Sequence, residues 1–440
     1  MLTRSVGLFG AVAYGVGIIL GAGIYVLIGP AAGLAGNSVW VSFIIGALIS
    51  SLTGLSYAEL STMYPKAAAE YIYVKRAFKS ELLAFLTGWL IIFTGIVSMS
   101  TVALGFAGYF SAIFTSPIIL IALILIIILS LLNFIGIEQS SKVNIIFTAI
   151  EIGGLLIVII LGMTKIGAVN YFETPNLPGV FAAAALMFFA YLGFEDIVNI
   201  AEETKNPQKN LPRALILSIA VTAIFYVLVG LAVVNLANYE TLATSQAPLS
   251  YAVSTILGPN GFSIMSYIAL FATANTVLIT SIVGSRMIYG MAKDKALPTF
   301  LSKIHKKTKT PYTAILAIMV FSIFFIFIGD IELVANITSL GVFITFALVN
   351  LSLIYLRYKK PNLTRPFKVP LNIKKFPVIP FLGLISCLLM LTQFDLYVIT
   401  FGIALLGIGA IVYAIYKKQQ TNKKINYNLS STNPSNKTKP

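Results

Sequence analysis

Residues 8–34 make an apolar run long enough to cross a bilayer, and in its middle stands Gly15-Val-Gly-Ile-Ile-Leu-Gly-Ala-Gly. Four glycines within nine residues weaken a helix and let a second backbone or a ligand approach closely. The run therefore predicts a helix broken at Gly21-Ala22-Gly23, opened to hold a small solute. Non-helical backbone at membrane depth has amides and carbonyls without intrahelical partners, and it persists only where protein, water or ligand satisfies them. The same glycines also suit close helix packing, because small residues spaced four apart recur where membrane helices touch. Both readings stand on the glycines alone.

With 58% hydrophobic and 10% charged residues, the 440-residue chain reads as a polytopic membrane protein. No stretch between apolar runs has the length of a soluble domain. The single cysteine, Cys387, falls inside an apolar run, which excludes an intramolecular disulfide and a thiolate metal site. The single histidine, His305, sits in a basic loop, which argues against a histidine proton relay. The start runs straight into the first helix and reads as a retained helix, not a signal peptide.

Apolar runs at 8–34, 38–62, 81–111, 117–136, 142–163, 179–202, 212–236, 261–290, 312–329, 333–356, 377–393 and 396–416 predict an all-α protein of 12 spans. With the N-terminus inside, every one of the 30 lysines and arginines except Lys165 falls on the inner side. The positive-inside rule then puts both termini in the cytoplasm, with the plasma membrane as the expected location. The net charge of +15 is thus a topology signal, whose partner is anionic leaflet lipid and not nucleic acid. Residues 63–80 read as partly helical along the inner face, 239–260 as an outer segment over the extracellular mouth, and 417–440 as a disordered cytoplasmic tail.

The sixth span carries the second irregularity, with Gly193, Glu195 and Asp196 midway along a segment that continues to Glu202 and Glu203. A carboxylate at that depth calls for a cavity or a partner. Glu195 neutral against a neighbouring helix, or Asp196 facing the inner vestibule, are the plainer readings. Spans one and six each open a set of five helices, and a glycine interruption at both points to an inverted-repeat transporter with its solute between the breaks. The expected units are 8–163, 179–356 and 377–416 within one transmembrane domain, 1–416. Half-helix ends suit a zwitterion: amides after Gly21 to Gly23 accept a carboxylate, and carbonyls of Ala190 to Gly193 accept an ammonium. Glu151, in Ile150-Glu-Ile-Gly-Gly of the fifth span, has no basic residue within a helical turn or two and must be protonated, ion-bound or paired across the bundle. Ser281 and Ser285 lie one turn apart on one helix face and offer hydroxyl oxygen for coupling, although serines in membrane helices also bond back to their own carbonyls.

Two longer blocks stand out, Phe188-Phe-Ala-Tyr-Leu-Gly-Phe-Glu and Ala201-Glu-Glu-Thr-Lys-Asn-Pro-Gln-Lys-Asn-Leu-Pro-Arg-Ala. Supporting blocks are Gly21-Ala-Gly-Ile-Tyr, Tyr57-Ala-Glu-Leu, Leu132-Asn-Phe-Ile-Gly, and Ser285-Arg-Met-Ile-Tyr-Gly-Met-Ala-Lys-Asp with Leu297-Pro. On these blocks the chain resembles the amino acid/polyamine/organocation superfamily, in its cationic-amino-acid-transporter-like branch. The resemblance implies the five-plus-five inverted repeat of the leucine-transporter type, with discontinuous helices 1 and 6 and two further C-terminal helices. It also implies that Gly21, Ala22 and Gly23 hold a substrate carboxylate, that the segment with Phe189, Ala190, Leu192 and Gly193 holds the amino group, and that Ile24 belongs to the same binding site. By the same matching Phe189 is an aromatic gate, and Glu195 is an acid that senses protonation in some relatives. Three departures stand out. Glu151 occupies a position where several proton-coupled relatives carry lysine. Pro65-Lys-Ala-Ala-Ala-Glu-Tyr lacks the usual glycines, and Lys293-Asp-Lys replaces a common Asp-Gly. The two loop departures are expected to alter loop geometry more than chemistry.

The expected function is transport of amino acids by alternating access with proton symport. An exchanger of amino acids or amines, or a sodium-coupled symporter, is the alternative. No enzyme, cofactor, metal centre or obligate protein partner is expected. A channel would show a continuous polar stripe along several helices, and an enzyme a nucleophile and base at membrane depth, and neither is present in the sequence.

Overall fold

The computed structural model describes residues 7–64, 69–200, 204–327 and 331–431. Arg4, Lys66, Glu202, Glu203 and residues 432–440, all used in the sequence reading, lie outside them.

Helix α1 spans Leu8–Ile19 and α2 spans Ala22–Ala35. Between them Leu20 turns to ψ 85° and Gly21 to φ −125°, ψ −167°, so the chain runs extended for two residues. The break therefore lies at Leu20-Gly21, earlier than the expected Gly21-Ala22-Gly23. Ala22 and Gly23 already belong to α2. Gly23 serves close approach instead: a Cβ there would stand 2.6 Å from Ala190 Cα. Gly15 and Gly17 remain helical and pack, the first against Ser218 and Ile197, the second against Thr148. The cluster thus contains both a helix break, at Gly21, and close packing, at Gly15, Gly17 and Gly23.

The chain continues through α3 (Val39–Met63), α4 (Ala69–Phe78), α5 (Glu81–Phe114), α6 (Ile118–Ile135) and α7 (Ile137–Met163). Ser80 starts α5 by accepting from the Leu83 amide at 3.2 Å. Helix α8 (Leu177–Met187) is capped by Asn176, whose side chain accepts from the Gly179 amide at 2.7 Å. It tightens into a 3-10 turn at Phe188–Tyr191, opens at Leu192 (ψ 144°) and Gly193 (φ +111°), and resumes as a 3-10 segment, Phe194–Ile200. Only glycine enters that positive φ without strain.

Next come α9 (Pro207–Leu236), α10 (Tyr239–Thr244), α11 (Pro248–Lys293, kinked where Gly258 takes φ +64°), α12 (Tyr312–Ile326) and α13 (Ile331–Lys359). A two-residue hairpin pairs Asn372–Ile373 with Phe376–Pro377 before α14 (Val378–Leu391) and α15 (Leu396–Ser431). The stretch read as a disordered tail from residue 417 differs, since α15 runs on to Ser431. Lysine and glutamine are good helix formers, and no glycine or proline interrupts them there.

Nine stretches are long and apolar enough to cross a membrane, and three shorter apolar helices, α1, α12 and α14, accompany them among the described residues. This is an all-α polytopic membrane protein, in which helices satisfy their own backbone groups away from water. Helices α1, α2, α3, α8 and α9 pack as one group and α5, α6, α11 and α12 as another, with α7 joined to both through α9 and α11.

Candidate functional site

Where the broken spans face α5 and α11 there is a cavity of about 120 Å³, room for roughly four waters by volume. One wall is the breaks themselves: Gly21, Ala22 and Gly23 from the first, Phe189, Ala190, Leu192 and Gly193 from the second. The facing wall is mostly apolar, with Ile91 and Gly95 of α5 and Ile279, Val283 and Met287 of α11. Hydroxyls of Ser98, Thr276 and Thr280 interrupt it. Of the residues expected from sequence, Ile24 is fully buried and its side chain does not line the cavity.

The exposed dipoles at the breaks are partly claimed by side chains. The Ala22 amide donates to Thr276 Oγ1 at 2.9 Å, so α11 caps the start of α2. The amides that follow in the first turn have no intrahelical acceptor. The Tyr226 hydroxyl, from α9, is 2.7 Å from the Ile19 carbonyl and 2.8 Å from the Ala190 carbonyl, one on each break. Gly193 donates its amide to Glu195 Oε2 at 2.9 Å, which folds that carboxylate back over the second break. Asp196 also lines the cavity.

Glu151 is fully buried on α7, outside the cavity wall. Neither of its carboxyl oxygens has a hydrogen-bond partner among the described residues, and the Asn275 carboxamide stands beside it. Asn275 donates to Thr148 Oγ1 at 3.2 Å, and the Tyr25 hydroxyl donates to the Glu151 main-chain carbonyl at 2.7 Å. The structure thus sets Glu151 behind α2, with Asn275 and Thr276 as consecutive residues reaching the carboxyl and the Ala22 amide respectively.

Ser281 and Ser285 are placed elsewhere. Asn133 Nδ2, from α6, donates to their hydroxyls at 3.0 and 3.4 Å, and neither serine lines the cavity. The Leu132-Asn-Phe-Ile-Gly block therefore ties α6 to α11. The Tyr57-Ala-Glu-Leu block also has two structural tasks. Tyr57 donates to Glu70 Oε1 at 3.0 Å, while Glu59 receives Arg357 Nε at 2.8 Å, the Val369 amide at 2.8 Å and an ion pair from Arg365 at 3.1 Å.

Glu70, Tyr226 and Thr276 were not singled out from sequence. Glu70 sits in the Pro65-Lys-Ala-Ala-Ala-Glu-Tyr stretch, expected to change loop geometry more than chemistry. That expectation concerned the missing glycines and said nothing of Glu70, whose carboxyl α4 delivers to the cavity. Burial pushes the Glu70 carboxyl above the usual carboxylate range, against the opposing pull of its hydrogen bonds. An acid within an otherwise apolar turn of an amphipathic inner helix was the available signal. Thr276 and Tyr226 gave none, since each is one of several hydroxyls in its span, Thr276 among Thr273, Thr280 and Ser281 and Tyr226 after Ser218 and Thr222.

A family model described as amino acid permease matches residues 6–430. The chain is similar to the branched-chain amino acid permease BcaP of Bacillus subtilis (strain 168), 31% identical over 444 residues, covering 96% of this chain and 94% of that one. It is similar also to the methylthioribose transporter of the same organism, 28% identical over 451 residues, with 96% and 95% covered. The cationic amino acid transporter 4, vacuolar, of Arabidopsis thaliana is 32% identical over 384 residues, 80% of this chain and 63% of that one.

Proposed function

The chain belongs to the amino acid permease family, and from that premise we propose that it carries amino acids by alternating access, with a proton as the coupling ion. The observation that supports this best is the cavity walled by two interrupted spans, where main-chain dipoles of both signs meet. An α-amino acid fits that chemistry. Its carboxylate takes the first-turn amides that follow Ala22, those of Gly23 and Ile24, and its ammonium takes carbonyls between Phe189 and Gly193. Of the substrates named among the relatives, amino acids present both charges and suit such ends, whereas a thioribose presents neither. Phe189 closes over the bound solute as the aromatic gate.

Glu151 and Glu195 are the residues that titrate. Glu195 meets the substrate cavity directly. Glu151 acts through α11: its protonation is felt by Asn275, and the adjacent Thr276 holds the Ala22 amide at the start of α2. A carboxylate at such depth needs a proton, an ion or a partner, and the Asn275 carboxamide is the group that stands beside it. The architecture that goes with this function is 12 spans as a five-plus-five inverted repeat and two additional helices, in the plasma membrane, with both termini in the cytoplasm.

Reconstitution in proteoliposomes tests the reading. Amino acid uptake should rise with an inward pH gradient and be indifferent to sodium. Uptake that follows sodium and ignores the pH gradient would refute the proton, and uptake that requires an amino acid inside the vesicle and ignores every ion gradient would identify an exchanger. A protein that binds an amino acid without moving it across the bilayer would refute transport itself.

A further inference from the structure

The geometry points to Tyr226 as the residue that sets the separation of the two breaks, and with it the distance between the carboxylate and ammonium subsites. This rests on the reading of the cavity as an amino acid site. Two opposed contacts define the separation. On the steric side, Gly23 and Ala190 already touch, for even a methyl group on Gly23 would stand 2.6 Å from Ala190 Cα. The breaks can come no closer. On the attractive side, the Tyr226 hydroxyl lies 2.7 Å from the Ile19 carbonyl and 2.8 Å from the Ala190 carbonyl. A phenol has one proton, so two carbonyl oxygens that would otherwise repel are drawn to a single donor.

Tyr226 is well fixed for this task. It is fully buried, and its ring packs on Phe43 (centroids 5.5 Å apart) and, edge-on, on Tyr191 (5.2 Å). The Tyr191 hydroxyl is itself tied to the Phe43 carbonyl at 2.8 Å. The ring thus holds the hydroxyl from α9, a third element, and neither break can drift without losing it. Ile19 ends the half-helix before the first break and Ala190 lies at the second, so the tie crosses the site itself and not its periphery. A ligand gripped at both charges feels the spacing, while its side chain does not.

The role is that of a positioning residue, and its signature is discrimination by spacing. The probes are L-leucine, chosen for the apolar wall of Ile91, Val283 and Met287, and L-β-homoleucine, which adds one methylene between the carbon bearing the amine and the carboxylate. Affinities for both are measured on the purified full chain and on Tyr226→Phe, which keeps the ring and deletes the hydroxyl. The unaltered chain should favour leucine, and Tyr226→Phe should shrink that preference about tenfold, equivalent to about 1.4 kcal/mol. Tyr109→Phe is the comparison. It also deletes a buried hydroxyl bonded to a carbonyl, that of Tyr25 at 2.7 Å, but bridges no break, so it should leave the ratio unchanged.

A leucine to β-homoleucine ratio that stays fixed in Tyr226→Phe, even while both affinities fall together, overturns the role given to Tyr226. Should that variant not fold, Gly23→Ala alters the same spacing from the steric side, and a fixed ratio there overturns it equally. An unaltered chain that binds neither compound sinks the reading of the cavity along with this one, a result distinct from binding with a fixed ratio.

Discussion

Replacing Gly23 by alanine tests whether the breaks are in contact because the site requires it. The new Cβ would stand 2.6 Å from Ala190 Cα, 2.8 Å from its Cβ and 3.1 Å from its amide nitrogen, about 0.8 Å short of the 3.4 Å at which ordinary contact begins. The atoms it meets are mostly main chain, so no rotamer change relieves it. Over-packing of this kind costs about 1 to 3 kcal/mol, and if the strain is released by separating the breaks, affinity falls between about fivefold and 150-fold at about 1.4 kcal/mol per factor of ten. Binding is read by the rise in melting temperature with added amino acid, and transport by uptake into proteoliposomes. Gly153→Ala is the matching control. Gly153 lies in α7 with nothing within 4 Å of an added Cβ, so alanine there should stabilise by about 0.5 to 1 kcal/mol and leave uptake unchanged. A Gly23→Ala protein with the parent's melting temperature and affinity would refute the argument, because it would mean that the breaks separate freely and their spacing carries no function.

Three further outcomes are expected. Glu151→Gln should bind substrate and support counterflow but lose uptake driven by a pH gradient, since the amide mimics the protonated acid and cannot release its proton; gradient-driven uptake at the parent rate would exclude Glu151 as the carrier. For Glu70, whose carboxyl burial raises above its unfolded value, the folded protein holds the proton more tightly, so stability is greatest below the unfolded pKa and is lost as pH rises through the folded one. The melting temperature of the parent relative to Glu70→Gln should therefore fall as pH rises from the ordinary carboxylate range, and a difference that is flat or rises contradicts the sign. Arg357→Ala leaves Glu59 buried beside a weaker partner and should cost about 3 to 5 kcal/mol in unfolding experiments, while Glu59→Gln with Arg357→Met should cost clearly less; equal losses would mean that packing, not charge, holds that corner.

Much of the fold was legible because membrane insertion writes it into composition. Long apolar runs give the spans. Inner segments were harder. The loop reading of residues 63–80 anticipated α4 but not that its Glu70 turns into the cavity, because an amphipathic helix on a membrane face and one that folds beneath a bundle share a pattern. At Lys293-Asp-Lys the altered motif has a local meaning: Lys295 adopts φ +59°, the left-handed conformation in which glycine sits without strain. There the departure falls on a backbone position of left-handed φ, while Glu70, next to the other departure, reaches the cavity.

The cavity shows why one half of a site can be read from sequence and the other cannot. The groups proposed to bind are main-chain dipoles, and a main chain opens where glycine permits, so Gly21 and Gly193 mark the breaks within a few residues of their true limits. The groups that fix those dipoles come from far away: Thr276 is 254 residues from Ala22, and Tyr226 is 207 from Ile19. A tyrosine in an apolar span looks the same whether its hydroxyl meets a headgroup, a carbonyl of its own helix or two carbonyls of other helices. Glu151 is intermediate, since a carboxylate without a nearby cation announces a task, but only its packing beside Asn275 tells which wall of the site it can influence. Local sequence therefore reports where the backbone opens, and the third elements packed behind it determine how wide.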